Sequence, residues 1–258
     1  MKKRILLIEM LLIIFFIVLP PLLEANTNSS ANIKSFSYII LIEFLVAFLL
    51  EFQYRKFFKS SESSENQNYL KTLILGLKWN AICLASLMII YAIFELIYVF
   101  FLKTDFSQNL QIVPQNFLQW IFLILSFISS AFFEEEIYRQ FLPQSFIFFA
   151  KLLFSKSESN LNSRDFSDDS DLTKNLPNVS KSNKIQNVII FLIEFLCVVI
   201  FAFSHRYLGF ISVLNAFFCG IVLRLTCKKT KSIMPGTIAH FSYNFILILF
   251  NFFMNSKV

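Results

Sequence analysis

The chain has 258 residues, 56% of them hydrophobic and 35 of them phenylalanine, with a formal net charge of +6. A soluble domain of this length cannot conceal that much apolar surface, and the apolar runs are too long for the alternating strands of a membrane β-barrel. Basic residues gather at the ends of apolar segments, as at Lys2 to Arg4 and Lys228 to Lys231, which suits anionic headgroups and leaves no basic face for nucleic acid. The expectation is an all-α, polytopic transmembrane helical bundle of about seven to eight membrane helices. Such a protein is integral and multi-pass, and a bacterial cell membrane is the expected location.

The first apolar run, Ile5 to Leu23, is longer than a signal h-region and close to the ~20 residues that a spanning helix needs. It reads as a first transmembrane helix interrupted by Glu9; a leader cleaved after Ala25 is the alternative. A second span runs from Ser37 to Leu50, and the Ser-rich segment Arg55 to Lys71 reads as a solvated loop. Trp79 to Leu102 and Phe117 to Phe133 are the third and fourth spans. Three glutamates then interrupt the pattern. The apolar run resumes from Phe141 to Phe154, where Pro143 is expected to kink or start a helix. Ser155 to Gln186 is rich in Ser, Asn and Asp, with too few apolar residues to offset its ordering entropy, and is predicted to be a disordered loop. Asn187 to Ser204, Leu208 to Leu225 and Ile233 to Phe253 complete the pattern. Residues 1–115 thus form N-terminal membrane helices, and 116–258 a second unit interrupted by the polar loop 155–186. The basic start places the N-terminus in the cytoplasm. The span count beyond the fourth stays open, because full crossings by every segment would leave His205 and His240 near opposite faces. Cys83, Cys197, Cys219 and Cys227 form no CxxC pair and read as packing residues.

Ionisable side chains inside apolar helices are costly and usually face the bundle interior or a wet cavity. Glu43 and Glu194 have no evident partner in the sequence. Glu135 and Arg139 lie four apart on one helix face, so the arginine can hold one carboxylate ionised. Glu134 lies about 100° round the helix and can point elsewhere, free of that partner. A carboxylate in apolar surroundings is a stronger proton acceptor than one in water. A glutamate cluster with an interfacial ion pair would give the same pattern. His205 closes an apolar helix, where a lone histidine is more often a hydrogen-bonded interfacial residue than a catalytic one. His240 and Asn244 sit one turn apart near the start of the last helix, a placement that also serves inter-helix hydrogen bonding.

Taken together, Glu134-Glu135-x-x-x-Arg139, Phe201-x-x-x-His205 and His240-x-x-x-Asn244 are three motifs in order, and these are the chain's only two histidines. The arrangement resembles the CAAX prenyl protease and bacteriocin-processing family of intramembrane peptidases, from about Phe117 to the C-terminus. The lead-in Ser232 to Ala239, with Pro235-Gly236, resembles that family's approach to its third motif. Three features depart from it. Glu136 makes a triple glutamate, Gln140 stands where the family often has glycine, and the polar insertion between the first and second motifs is long.

The resemblance implies a peptidase core over 116–258: an intramembrane endopeptidase that hydrolyses a peptide bond of a membrane-associated or lipidated protein within the lipid bilayer. Glu134 would be the general base, with His205 helping to position or deprotonate the water. His240 and Asn244 would donate to the oxyanion. Glu135 with Arg139 would hold the helix geometry or bind substrate. A metal-dependent version places zinc on Glu134, His205 and His240; the chain has no HExxH helix, which favours the version without a cofactor. Two other classes remain open: a non-catalytic membrane scaffold or self-immunity protein of the same fold, and a small transporter with a Glu/His proton relay. The paired, similarly interrupted halves expected of a transporter are not visible.

Overall fold

The computed structural model describes residues 2–23, 38–55, 69–97, 99–100, 114–162 and 178–255. These form seven helices and no strand among the described residues. We label them α1 (2–23), α2 (Tyr38–Tyr54), α3 (Tyr69–Ile97), α4 (117–162), α5 (Asn178–Ser204), α6 (Phe210–Thr230) and α7 (Met234–Asn255). Six are long and apolar enough to cross a membrane; α2, with 17 residues, stands at the short end of that range.

The eighth expected segment disappears because Phe117 to Phe154 is one continuous 38-residue helix. At ~1.5 Å per residue it is roughly 57 Å long, nearly twice the ~30 Å hydrocarbon core. Pro143 neither breaks nor starts it. Instead the helix widens to a π-helical turn over Glu136–Phe141, immediately before the proline. Asn116 caps the start of α4: its side chain accepts from the Gln119 amide at 2.9 Å, while the Gln119 side chain accepts from the Gln115 amide at 2.7 Å. At the other end, α4 continues to Asn162 and α5 begins at Asn178, so both flanks of the predicted polar loop are helical. The loop's centre, residues 163–177, lies outside the described residues, as do Ala25 and most of the segment read as a loop after Arg55.

Tight turns join the last three helices. A 3₁₀ turn, Arg206–Leu208, leads to Gly209, whose φ of 97° is open to glycine at little cost and reverses the chain into α6. Lys231, at φ 52°, ends α6 in the left-handed conformation, and the Ser232 hydroxyl accepts from the Met234 amide to open α7.

Helix α1 is part of the core. Leu6, Met10, Ile13 and Val18 are buried with Ile137, Tyr138, Phe141 and Phe201. Glu9, the polar interruption of that helix, accepts from the Gln53 side chain of α2 at 2.8 Å. On the other side, Cys83, Leu87 and Tyr91 of α3 pack with Cys219 and Leu223 of α6 and Ala239 and Tyr243 of α7. The four cysteines are free and buried. If α2 is counted as a seventh crossing, Lys3, Arg4, Arg55, Lys71 and Lys228 fall on the side of the N-terminus and Arg206 on the other.

Candidate active site

The site is assembled where α4, α5, α6 and α7 meet. Its centre is His240, two turns into α7 and buried. Nδ1 lies 3.2 Å from Glu135 Oε1, and Nε2 lies 3.9 Å from Glu134 Oε2. The two adjacent carboxylates thus address the two ring nitrogens, a consequence of the ~100° step between neighbouring helical residues. An ionised carboxylate only accepts, so Nδ1 carries the proton of the shorter contact. The longer one exceeds a hydrogen bond.

Glu135 is fully buried. Its Oε2 lies 3.6 Å from Arg139 Nε, the expected i, i+4 pair. The same oxygen faces Gly236, where a side-chain carbon would stand only 3.2 Å away. This explains the Pro-Gly pair ahead of the third motif: glycine leaves the space that the carboxylate occupies. Asn80 of α3 fixes the same turn by donating to the Pro235 carbonyl at 3.0 Å. Glu134 accepts from Ser130 at 2.9 Å through Oε1, while its buried Oε2 has no hydrogen-bond donor among the described residues.

Arg139 is enclosed, with its guanidinium carbon 3.8 Å from the centre of the Phe201 ring, a cation–π contact in a dry setting. The Phe201 ring also lies 4.7 Å from His205 and 6.5 Å from His240, centre to centre. Phe201 therefore links the second motif to the other two. His205 Nδ1 is 3.0 Å from the Phe201 carbonyl. A carbonyl only accepts, so the proton sits on Nδ1 and Nε2 is left as the acceptor.

His205, His240 and Asn244 line one cavity of about 160 Å³, walled mainly by apolar residues such as Leu87, Phe201, Ala216 and Leu247. The cavity runs from Leu208, in the turn before α6, along α6 to Leu223. Two histidines that begin at different depths thereby share one space, and no half-spanning helix is required. Glu134 is not itself a lining residue and meets the cavity through His240, whose Nε2 faces its Oε2. Among the described residues, no three His, Cys, Asp or Glu side chains converge into a group able to hold a metal ion. Glu134, His205 and His240 therefore do not form a two-histidine, one-carboxylate zinc set.

One polar residue of the cavity was not singled out in the sequence, and three that were now find partners. Asn215 of α6 lines the cavity and donates to the Tyr243 hydroxyl at 3.2 Å. An asparagine within an apolar helix was the available signal. Glu43 accepts from Ser129 at 3.3 Å on α4. Glu194 pairs with Arg224 at 2.8 Å and with Lys228 at 2.7 Å. Gln140, in the family's glycine position, donates to both Glu136 and Glu51, so the extra glutamate is tied to α2 and turned away from the site.

A family model described as type II CAAX prenyl endopeptidase Rce1-like matches residues 116–246. The chain belongs to this family. The match covers about half the chain and contains all three motifs, from Glu134 to Asn244. No curated protein and no solved structure matches it. With six helices able to cross a bilayer, this Rce1-like chain is a multi-pass integral membrane protein of a CAAX-type intramembrane protease family.

Proposed function

We propose that this Rce1-like protein is an active endopeptidase that cleaves a membrane-associated protein or peptide with a glutamate-activated water. The observation that carries the reading is His240 held between Glu134 and Glu135 at the head of a mainly apolar cavity. The water sits on Glu134 Oε2, which accepts from no donor among the described residues, and Glu134 takes its proton as the water attacks the scissile carbonyl. Glu135 orients the imidazole through Nδ1. With a proton also on Nε2, His240 donates to the oxyanion, and Asn244 one turn on adds a second donor. Such donors contribute about 3–4 kcal/mol each in a water-poor site. His205, whose free Nε2 accepts, holds the substrate amide or the water from the far side of Phe201. The leaving amine takes the proton carried by Glu134.

The residues present do not converge as a zinc set, and no step here is routed through a metal. The cavity, mostly apolar and closed on one side by α3, selects an extended segment bearing an apolar residue, drawn from a protein held at or in the bilayer. The N-terminal helices, outside the matched region, buttress the core. The test compares protein N- and C-termini in membranes from cells expressing wild type or Glu134→Gln at equal level. Termini present only with wild type support the reading; identical termini overturn it and favour a scaffold of the same fold.

A further inference from the structure

In an α-helix the amide of residue 143 would donate to the carbonyl of Arg139. Proline has no such N–H, and its ring crowds that carbonyl. The helix answers locally by widening: the Leu142 amide reaches back to the Ile137 carbonyl through the π turn. The Arg139 carbonyl is buried, where an unmet acceptor is costly. Its donor comes from another helix. Arg224 of α6 donates to it through Nη1, and Cys227, one turn on, approaches it through Sγ at 3.9 Å. The second arm of Arg224, Nη2, donates to Glu194 of α5 at 2.8 Å, and Lys228 holds the other oxygen of the same carboxylate. One guanidinium thus ties together the helix that carries Glu134 and Glu135, the helix that leads to His205, and α6, which walls the cavity.

We propose that Arg224 is a positioning residue of the site, supplying the hydrogen bond that Pro143 withholds and so fixing the π turn that follows Glu135 and carries Arg139. The inference rests on the peptidase reading for its effect on cleavage, while its structural part stands apart from that reading. The turn follows directly on Glu135, and the carbonyl that Arg224 holds belongs to the residue paired with Glu135. If the turn loosens, both the Glu135–His240 contact and the seat of Arg139 on Phe201 are released.

The test uses the full chain in detergent with four variants: Arg224→Met, Glu194→Gln, Pro143→Ala, and the double variant Pro143→Ala with Arg224→Met. Amide hydrogen exchange is read over residues 137–142 against α3 as an internal reference. Arg224→Met is expected to speed exchange in that segment about tenfold or more, with α3 unchanged, as for a local opening. Glu194→Gln, which weakens the ion pair and keeps the carbonyl bond, stays within about twofold of wild type on the same scale. In the double variant, alanine in place of Pro143 brings an amide in register with the Arg139 carbonyl, and exchange returns to near the wild-type rate; this coupling is what a general loss of packing would not produce. The wild-type-dependent termini fall about tenfold in Arg224→Met and recover in the double variant. Unchanged exchange in Arg224→Met, no recovery in the double variant, or an equal effect of Glu194→Gln would each overturn the proposal. Should Arg224→Met fail to accumulate, Arg224→Gln, which keeps an N–H donor, is read in its place with the same expectations at smaller amplitude. If wild type and Glu134→Gln give identical termini, the peptidase reading falls, and the exchange pattern alone decides whether Arg224 fixes the turn.

Discussion

Gly236→Ala separates the aim of Glu135 from the stability of the bundle. The added carbon would stand 3.2 Å from Glu135 Oε2 and 3.6 Å from a methyl of Leu223. The second distance is ordinary contact; the first requires the carboxylate to retreat by a few tenths of an ångström. Glu135 is fully buried, and its other oxygen is the partner of His240 Nδ1, so it cannot retreat without turning the imidazole. Alanine is preferred to glycine in a helix by about 1 kcal/mol, which offsets the crowding. Thermal stability in detergent is therefore expected to stay near that of wild type. A misplacement of ~1 Å costs about a hundredfold in rate, so on a logarithmic scale a shift of about 0.3 Å predicts a loss of roughly fourfold. The assay is the yield of wild-type-dependent termini at equal protein level. Full activity in a folded Gly236→Ala protein would refute the placement of Glu135 as the group that orients His240.

Asn244→Ala should lower cleavage by about 10²–10³ if its amide serves the oxyanion, with little change in folded yield; a loss under tenfold removes it from that role. Ala216→Phe places a ring in the ~160 Å³ cavity and is expected to suppress cleavage while Glu134 and His240 stay in place, and undiminished turnover would show that substrate binds elsewhere. Treatment with a strong zinc chelator should leave the yield of termini unchanged, since the ligand set does not converge; loss restored by added zinc would reinstate the metal-dependent mechanism. Lys228→Ala removes a half-exposed partner of Glu194 and should cost less than about 1 kcal/mol in denaturant or thermal unfolding, since Arg224 retains the same carboxylate.

The membrane class and the three motifs were legible in the sequence because they depend on features a single chain displays: apolar length, and polar residues at spacings of one helical turn. Glu135 with Arg139 and the joint facing of His240 and Asn244 follow from helix periodicity alone. The span count was not legible. Pro143 after three glutamates looks like a helix boundary, but the helix continues through a π turn, and the carbonyl the proline leaves without its amide accepts from Arg224, some eighty residues later in the chain. The same limit applies to Glu194 and Glu9, whose partners lie on other helices. Gln140 looked like a defect in the first motif because its two acceptors, Glu51 and Glu136, are a pair only after α2 packs against the π turn. Local rules give a residue's direction on its own helix. They do not say which neighbour waits there.

The central claim is hydrolysis of a peptide bond by a water activated on Glu134. Membranes holding the wild-type chain can be incubated in water labelled with oxygen-18 and the new C-termini analysed by mass spectrometry. Each wild-type-dependent C-terminal carboxyl is expected to carry one labelled oxygen, and Glu134→Gln to give a yield lower by about 10²–10⁴, the range for loss of a general base. New termini formed equally by Glu134→Gln, or no new termini from the folded wild-type protein, would contradict the claim.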